Sequence, residues 1–231
     1  MKYLKSYQWN VTPLLPVAAM ERHRINADGP GIRTLVVLNG CPLRCRYCPN
    51  RFTWNNCVKQ IGDARICSTD VEYFTPQRLL NRIEVDDLYF YATGGGVTFG
   101  GGEPLMHLRG IHDFADLCPK EWRICAETSL YVPQEYVKQA AAYIDFFMVD
   151  IKSTDADIYK TYTGGSVNVM MKNLELLLEL IGPRKIKVRI PEIPGYVDRE
   201  LQEESCHIMK GLGVENIELF RYIVPRCFQA S

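Results

Sequence analysis

Six short apolar runs, separated by amphipathic stretches, constrain the fold of this 231-residue chain more than any other feature. They cover residues 34–39, 96–100, 123–127, 145–150, 185–190 and 216–222. Several are near-continuous rather than alternating, as in TLVVLN and DFFMVD, which suits strands of a parallel sheet covered on both faces. Helical patterns lie between them. Thr75 is placed to cap a helix with Pro76 at its first position. Met170, Leu174, Leu177, Leu178 and Ile181 share one helical face, which Gly182-Pro183 ends. Leu201, Ile208 and Leu212 mark another. A βα unit repeated about six times predicts an α/β domain, either an open doubly wound sheet or a partial barrel.

Two stretches fall outside this pattern. Residues 1–20 carry Lys2, Lys5 and an apolar patch interrupted by Pro13 and Pro16, with no clear cleavage signal. We expect an irregular N-terminal segment over 1–27 and one domain over 28–231. Residues 55–74 give no assignment. Lysine plus arginine balances aspartate plus glutamate at 27 each, so bulk charge offers no reason to expect nucleic acid or an anionic membrane as a partner. No stretch is long and apolar enough to span a bilayer. The expectation is a cytoplasmic protein.

In such folds the chemistry collects at the carboxyl ends of the strands. The unusual polar residues do so here. Cys41 follows the first run and Gly101-Gly102-Glu103 the second. Glu127 and Thr128 end the third, Asp150 and Lys152 the fourth. Arg189 lies near the end of the fifth and Tyr222 near the end of the sixth.

Nine cysteines are present, three of them crowded into NGCPLRCRYCPN. An odd count and this crowding point to metal binding rather than a disulfide framework. Cys41, Cys45 and Cys48 stand as Cys-x3-Cys-x2-Cys, and thiolates suit iron–sulfur clusters or zinc. Three ligands on a tight loop can hold three corners of a cubane and leave the fourth iron open. The alternative is a zinc knot with Cys57 as fourth ligand, although zinc sites usually pair their ligands as two close couples. Cys57 and Cys67 are too sparse for a second, ferredoxin-like cluster. His23, His107, His112 and His207 form no metal-ligand spacing.

Cys-x3-Cys-x2-Cys with Tyr47 before its last cysteine resembles the signature of the radical S-adenosylmethionine superfamily. The flanking Asp28-Gly29-Pro30-Gly31-Ile32-Arg33 and Asn50-Arg51-Phe52-Thr53-Trp54, with GGGVTFGGGEP over residues 94–104, look like the glycyl-radical-enzyme activating enzymes. The nearest type is the short pyruvate formate-lyase activase, and the resemblance runs from about Asp28 to Tyr222.

The resemblance implies a partial (β/α)6 TIM-like barrel with parallel strands and outer helices. It implies one 4Fe-4S cluster on Cys41, Cys45 and Cys48, with S-adenosylmethionine chelating the open iron. Reductive cleavage would give a 5′-deoxyadenosyl radical, which takes hydrogen from a glycine of a partner glycyl radical enzyme. An electron donor such as flavodoxin or ferredoxin would serve it, in an anaerobic setting. Carried over position by position, the S-adenosylmethionine contacts are Tyr47, Cys48, Pro49, Gly101, Gly102, Glu103, Glu127, Asp150, Ile151, Lys152 and Arg189. Asp28 would lie near the substrate loop. A monovalent cation would sit near Glu127 and Asp150, although Glu127 replaces the family's aspartate. Ile223 and Pro49 stand where the nearest relatives carry histidines. Two other functions remain open at this point: a radical enzyme acting on a small molecule or peptide, and a non-catalytic iron–sulfur or zinc module.

Overall fold

The computed structural model describes residues 12–54, 71–225 and 228. In chain order its elements are β1 (Leu15–Ile25), β2 (Ile32–Leu38), β3 (Glu72–Phe74), α1 (Pro76–Ile83), α2 (Asp87–Thr93), β4 (Gly96–Gly101), α3 (Leu108–Leu117), β5 (Arg123–Thr128), α4 (Gln134–Ala140), β6 (Phe146–Asp150), α5 (Ala156–Thr163), α6 (Val167–Ile181), β7 (Ile186–Glu192), α7 (Arg199–Gly211) and β8 (Asn216–Arg221). Each of the six apolar runs forms a strand. They pair in parallel in the order β2-β4-β5-β6-β7-β8, and helices fill the connections from β4 onward. The result is an open, curved sheet, the partial barrel expected.

Local chemistry fixes the helix starts. The Thr75 hydroxyl accepts from the Arg78 amide at 3.2 Å, with Pro76 opening α1. Asp155 and Asp198 cap α5 and α7 in the same way, at 2.8 and 3.0 Å. The convex face of the sheet buries its apolar residues against the helices. Phe99 of β4 meets Phe114 of α3 edge to face at 5.4 Å, and both rings are fully buried. Two buried amides tie helices to strand ends. Asn173 donates to Leu130 O and Val132 O, and Gln202 to Ile190 O and Phe220 O.

The N-terminal stretch corrects an expectation. From Leu15 it is no irregular segment but strand β1, antiparallel to β2 on one side and to β3 on the other. Pro16 lies within it opposite Tyr73, and its carbonyl accepts from the Asn39 amide at 2.8 Å. The pairing slips between Val17 and Ala19 and again between Glu21 and Arg24, where His23 takes a positive φ of 58°. These bulges break the two-residue alternation by which a strand is recognised.

The glycine run over 94–102 divides between the two ends of β4. Gly95 belongs to the start, where a Cβ would fall 1.9 Å from Ile32 O, so the backbones could not approach. Below β4, Arg33 is fully buried, and among the described residues no carboxylate bonds to it. It donates to Thr98 Oγ1, Pro30 O, Val97 O and Arg123 O, which fixes the Asp28–Gly31 turn against the sheet. Among the described residues no helix is long and apolar enough to cross a membrane.

Candidate active site

The cysteine loop begins where β2 ends, and two neighbours pin it. The Gly102 amide donates to Leu38 O at 2.9 Å and the Glu103 amide to Gly40 O at 2.7 Å. On the far side the Arg44 and Arg46 amides donate to Thr163 O and Tyr162 O at the end of α5. Cys41, Leu43 and Cys45 face inward, while Arg44 and Arg46 face out. The Asn50 amide side chain reaches Gly101 O at 3.2 Å and joins the loop to the end of β4.

The three thiols line one cavity of about 290 Å³, together with Gly101, Gly102, Asp150, Lys152 and Arg189. Burial pushes the Cys41 thiol up to about 12 and that of Cys45 up to about 11. Cys48 is raised by the same cause, against hydrogen bonds from the Asn50 amide and the Trp54 indole. Such thiols ionise when a cationic metal centre takes the proton's place. Among the described residues no three His, Cys, Asp or Glu side chains converge on a single-ion site. Three thiols on one cavity wall fit three corners of a polynuclear cluster. Cys57, the fourth ligand of the zinc alternative, lies outside the described residues.

Opposite the thiols, on the concave face, stands a network of four charges. The Arg189 Nε donates to Asp150 at 2.6 Å, and its Nη1 reaches Glu127 at 3.0 Å, two strands away. Lys152 Nζ meets the second oxygen of Asp150 at 3.0 Å. Two cations thus centre on Asp150, and against its burial they hold its carboxyl down to about 2. Glu127 shares only one of them, and burial pushes its carboxyl up to about 7. The oxygens expected to hold a monovalent cation are both engaged by Arg189.

A raised carboxyl stabilises the fold fully below its unfolded pKa of 4.5, and that contribution is lost as pH rises through about 7. Glu127→Gln cannot ionise. It is expected to remove about 2–3 kcal/mol of the fall in stability between about pH 5 and pH 7. Urea unfolding of both proteins across that range measures it, and parallel pH slopes would refute the assignment.

The cavity thus gathers Cys41, Cys45, Cys48, Pro49, Gly101, Gly102, Glu127, Asp150, Lys152 and Arg189. Four other expected residues stand apart from its lining. Glu103 is 1% exposed, and its oxygens accept from the Thr128 hydroxyl, the Ser129 amide and hydroxyl, and the Leu105 amide. It staples the end of β4 to the end of β5. Ile151 is fully buried, with its amide on Arg189 O. The Tyr47 ring packs among Tyr162, Tyr196 and Phe228, while its carbonyl accepts from the Tyr222 hydroxyl. Asp28 is buried and paired with Arg24 at 2.6 Å, with its carbonyl on Thr98 Oγ1. Ser129 lines the cavity and was not foreseen; the hydroxyl pair Thr128-Ser129 at the end of β5 is the signal that could have found it.

Comparison with known proteins adds three findings. The family model described as "Radical SAM superfamily" matches residues 35–204. The pyruvate formate-lyase-activating enzyme of Clostridium pasteurianum is 34% identical, over 84% of this chain and 77% of its own. The choline trimethylamine-lyase activating enzyme of Oleidesulfovibrio alaskensis is 30% identical, over 75% and 71%. In fold, SuiB from Streptococcus suis superposes with a TM-score of 0.56 at 16% identity; 82% of this chain is covered, against 42% of that longer one.

Proposed function

The chain belongs to the radical S-adenosylmethionine superfamily, among the activating enzymes of glycyl radical enzymes, and from that premise we propose how its residues divide the work. Cys41, Cys45 and Cys48 would hold a 4Fe-4S cluster, and Asp150, Lys152 and Arg189 at the ends of β6 and β7 would bind S-adenosylmethionine in the same cavity. A cluster held there would, once reduced, supply the one electron that splits S-adenosylmethionine into methionine and a 5′-deoxyadenosyl radical, and that radical would take a hydrogen atom from a glycine of the partner enzyme, giving 5′-deoxyadenosine and the glycyl radical. The observation that carries this reading is the shared cavity of the three thiols, Asp150, Lys152 and Arg189.

The residues of the chain bind and orient. Asp150 stays ionised and can accept from the ammonium of the methionyl group, while Lys152 and Arg189 can receive its carboxylate. Gly101 and Gly102 offer backbone without side chains on the facing wall. Glu103 holds that wall to Thr128 and Ser129, so it positions rather than touches the ligand. The electron comes from a small carrier of the flavodoxin or ferredoxin type, and the protein works in the cytoplasm.

Anaerobically reconstituted protein, reduced and given S-adenosylmethionine, is expected to yield 5′-deoxyadenosine. With its glycyl radical enzyme it is expected to produce the glycyl-radical signal in electron paramagnetic resonance. Iron and sulfide near four of each per chain would accompany activity. Absence of 5′-deoxyadenosine with cluster and partner both present would refute the reading.

A further inference from the structure

We propose that the outer face of the cysteine loop, with Trp54 beside it, is the docking site of an acidic, one-electron carrier protein. The proposal rests on the functional reading above, since it names the partner that reduces the same site.

Alternation along the loop gives it two faces. Where Cys41, Leu43 and Cys45 turn to the cavity, Arg44 and Arg46 turn outward. There they join Arg51 and Lys160 around an open groove of about 900 Å³, in which, among the described residues, Asp157 is the one carboxylate. Four cations against one anion is a steep local excess in a chain whose charges balance at 27 each. Such a patch attracts an acidic protein and orients it before contact. Transient redox complexes bury little area and lean on this steering.

Two of the four cations are held in place. Arg44 donates to Cys41 O at 2.5 Å and Leu43 O at 2.8 Å, and Arg51 donates to Arg46 O. The guanidinium groups of Arg44 and Arg51 lie 5.2 and 5.3 Å from the centre of the Trp54 ring. Side chains already fixed lose little freedom when a partner binds. Trp54 lines the groove beside them. Electron transfer slows steeply with distance, and here a single loop separates groove from thiols. The step is one electron: the carrier is oxidised, the cluster is reduced, and no bond or proton is exchanged.

The reconstituted protein is titrated with an acidic flavodoxin and, separately, with an acidic ferredoxin, and affinity is measured at low and high salt. The double variant Arg46→Glu/Lys160→Glu is expected to weaken binding about tenfold or more at low salt, with the difference shrinking at high salt. Asp157→Asn, which removes the one anion, is expected to tighten it. Circular dichroism establishes that each variant is folded. Weakening with either carrier supports the proposal and shows which kind docks. Unchanged affinity for both, or a loss seen only for the glycyl radical enzyme, overturns it. Dithionite needs no docking site and keeps the two readings apart. If dithionite-reduced wild-type protein makes no 5′-deoxyadenosine, it is the functional reading that fails.

Discussion

Gly102→Ala is expected to cut 5′-deoxyadenosine formation about a hundredfold in protein that still folds. A Cβ at this position would lie 2.2 Å from Gly40 O and 2.8 Å from Leu38 O. Neither contact has room to relax. The Gly102 amide is bonded to Leu38 O and the Glu103 amide to Gly40 O, while the Glu103 carboxylate is fixed by Thr128 and Ser129. The strain therefore passes to Gly40 and to Cys41 beside it, which moves a cluster ligand. Overpacking of this kind costs about 1–3 kcal/mol, so the loss shows in activity and iron content before it shows as unfolding. Gly211→Ala is the control, because a Cβ there meets nothing within 4 Å. Full iron content and a wild-type rate in Gly102→Ala would show that the two loops need not touch.

Arg189→Met is expected to destabilise the protein by about 3–5 kcal/mol, because it leaves buried carboxylates without their shared cation. Asp150 keeps Lys152, whereas Glu127 loses the only cation that the network gives it. The loss should be largest above pH 7 and shrink on acidification, as Glu127 takes up a proton. S-adenosylmethionine affinity should fall at every pH. A second change, Glu127→Leu, is expected to restore much of the stability but none of the binding, and calorimetry beside urea unfolding separates the two. Arg189→Lys tests the fork itself, since an ammonium reaches one carboxylate well and two poorly. Retained stability and affinity in Arg189→Met would remove Arg189 from both roles.

The parallel strands were legible because each is a local, near-continuous apolar run. The cysteine loop was legible because its ligands lie within eight residues, so spacing alone describes them. What escaped the sequence depends on distant partners. Glu103 stands beside the cavity glycines and looks like a ligand contact. Its four donors come from Leu105 nearby and from Thr128 and Ser129 on the next strand end, and only the fold brings these together. Asp28, expected near the substrate loop, is paired with Arg24, and the Thr98 hydroxyl donates to its carbonyl, contacts that no local pattern announces. Strand β1 was hidden because Pro16 and two bulges disturb the alternation, and its pairing with β2 and β3 restores what local pattern lacks. The engagement of Glu127 by Arg189 depends on strand order, which places β5 and β7 on either side of β6.

Between Cys41 and Arg46, successive residues of the cysteine loop serve opposite sides of one thin ribbon. A substitution at Arg44 or Arg46 alters one side alone. An insertion or deletion of one residue between Cys41 and Cys45 would instead turn thiols to solvent and guanidinium groups to the cavity. The number of residues here is thus a stricter requirement than their identity. The outer surface can be revised by substitution, but not by changing the length of the loop.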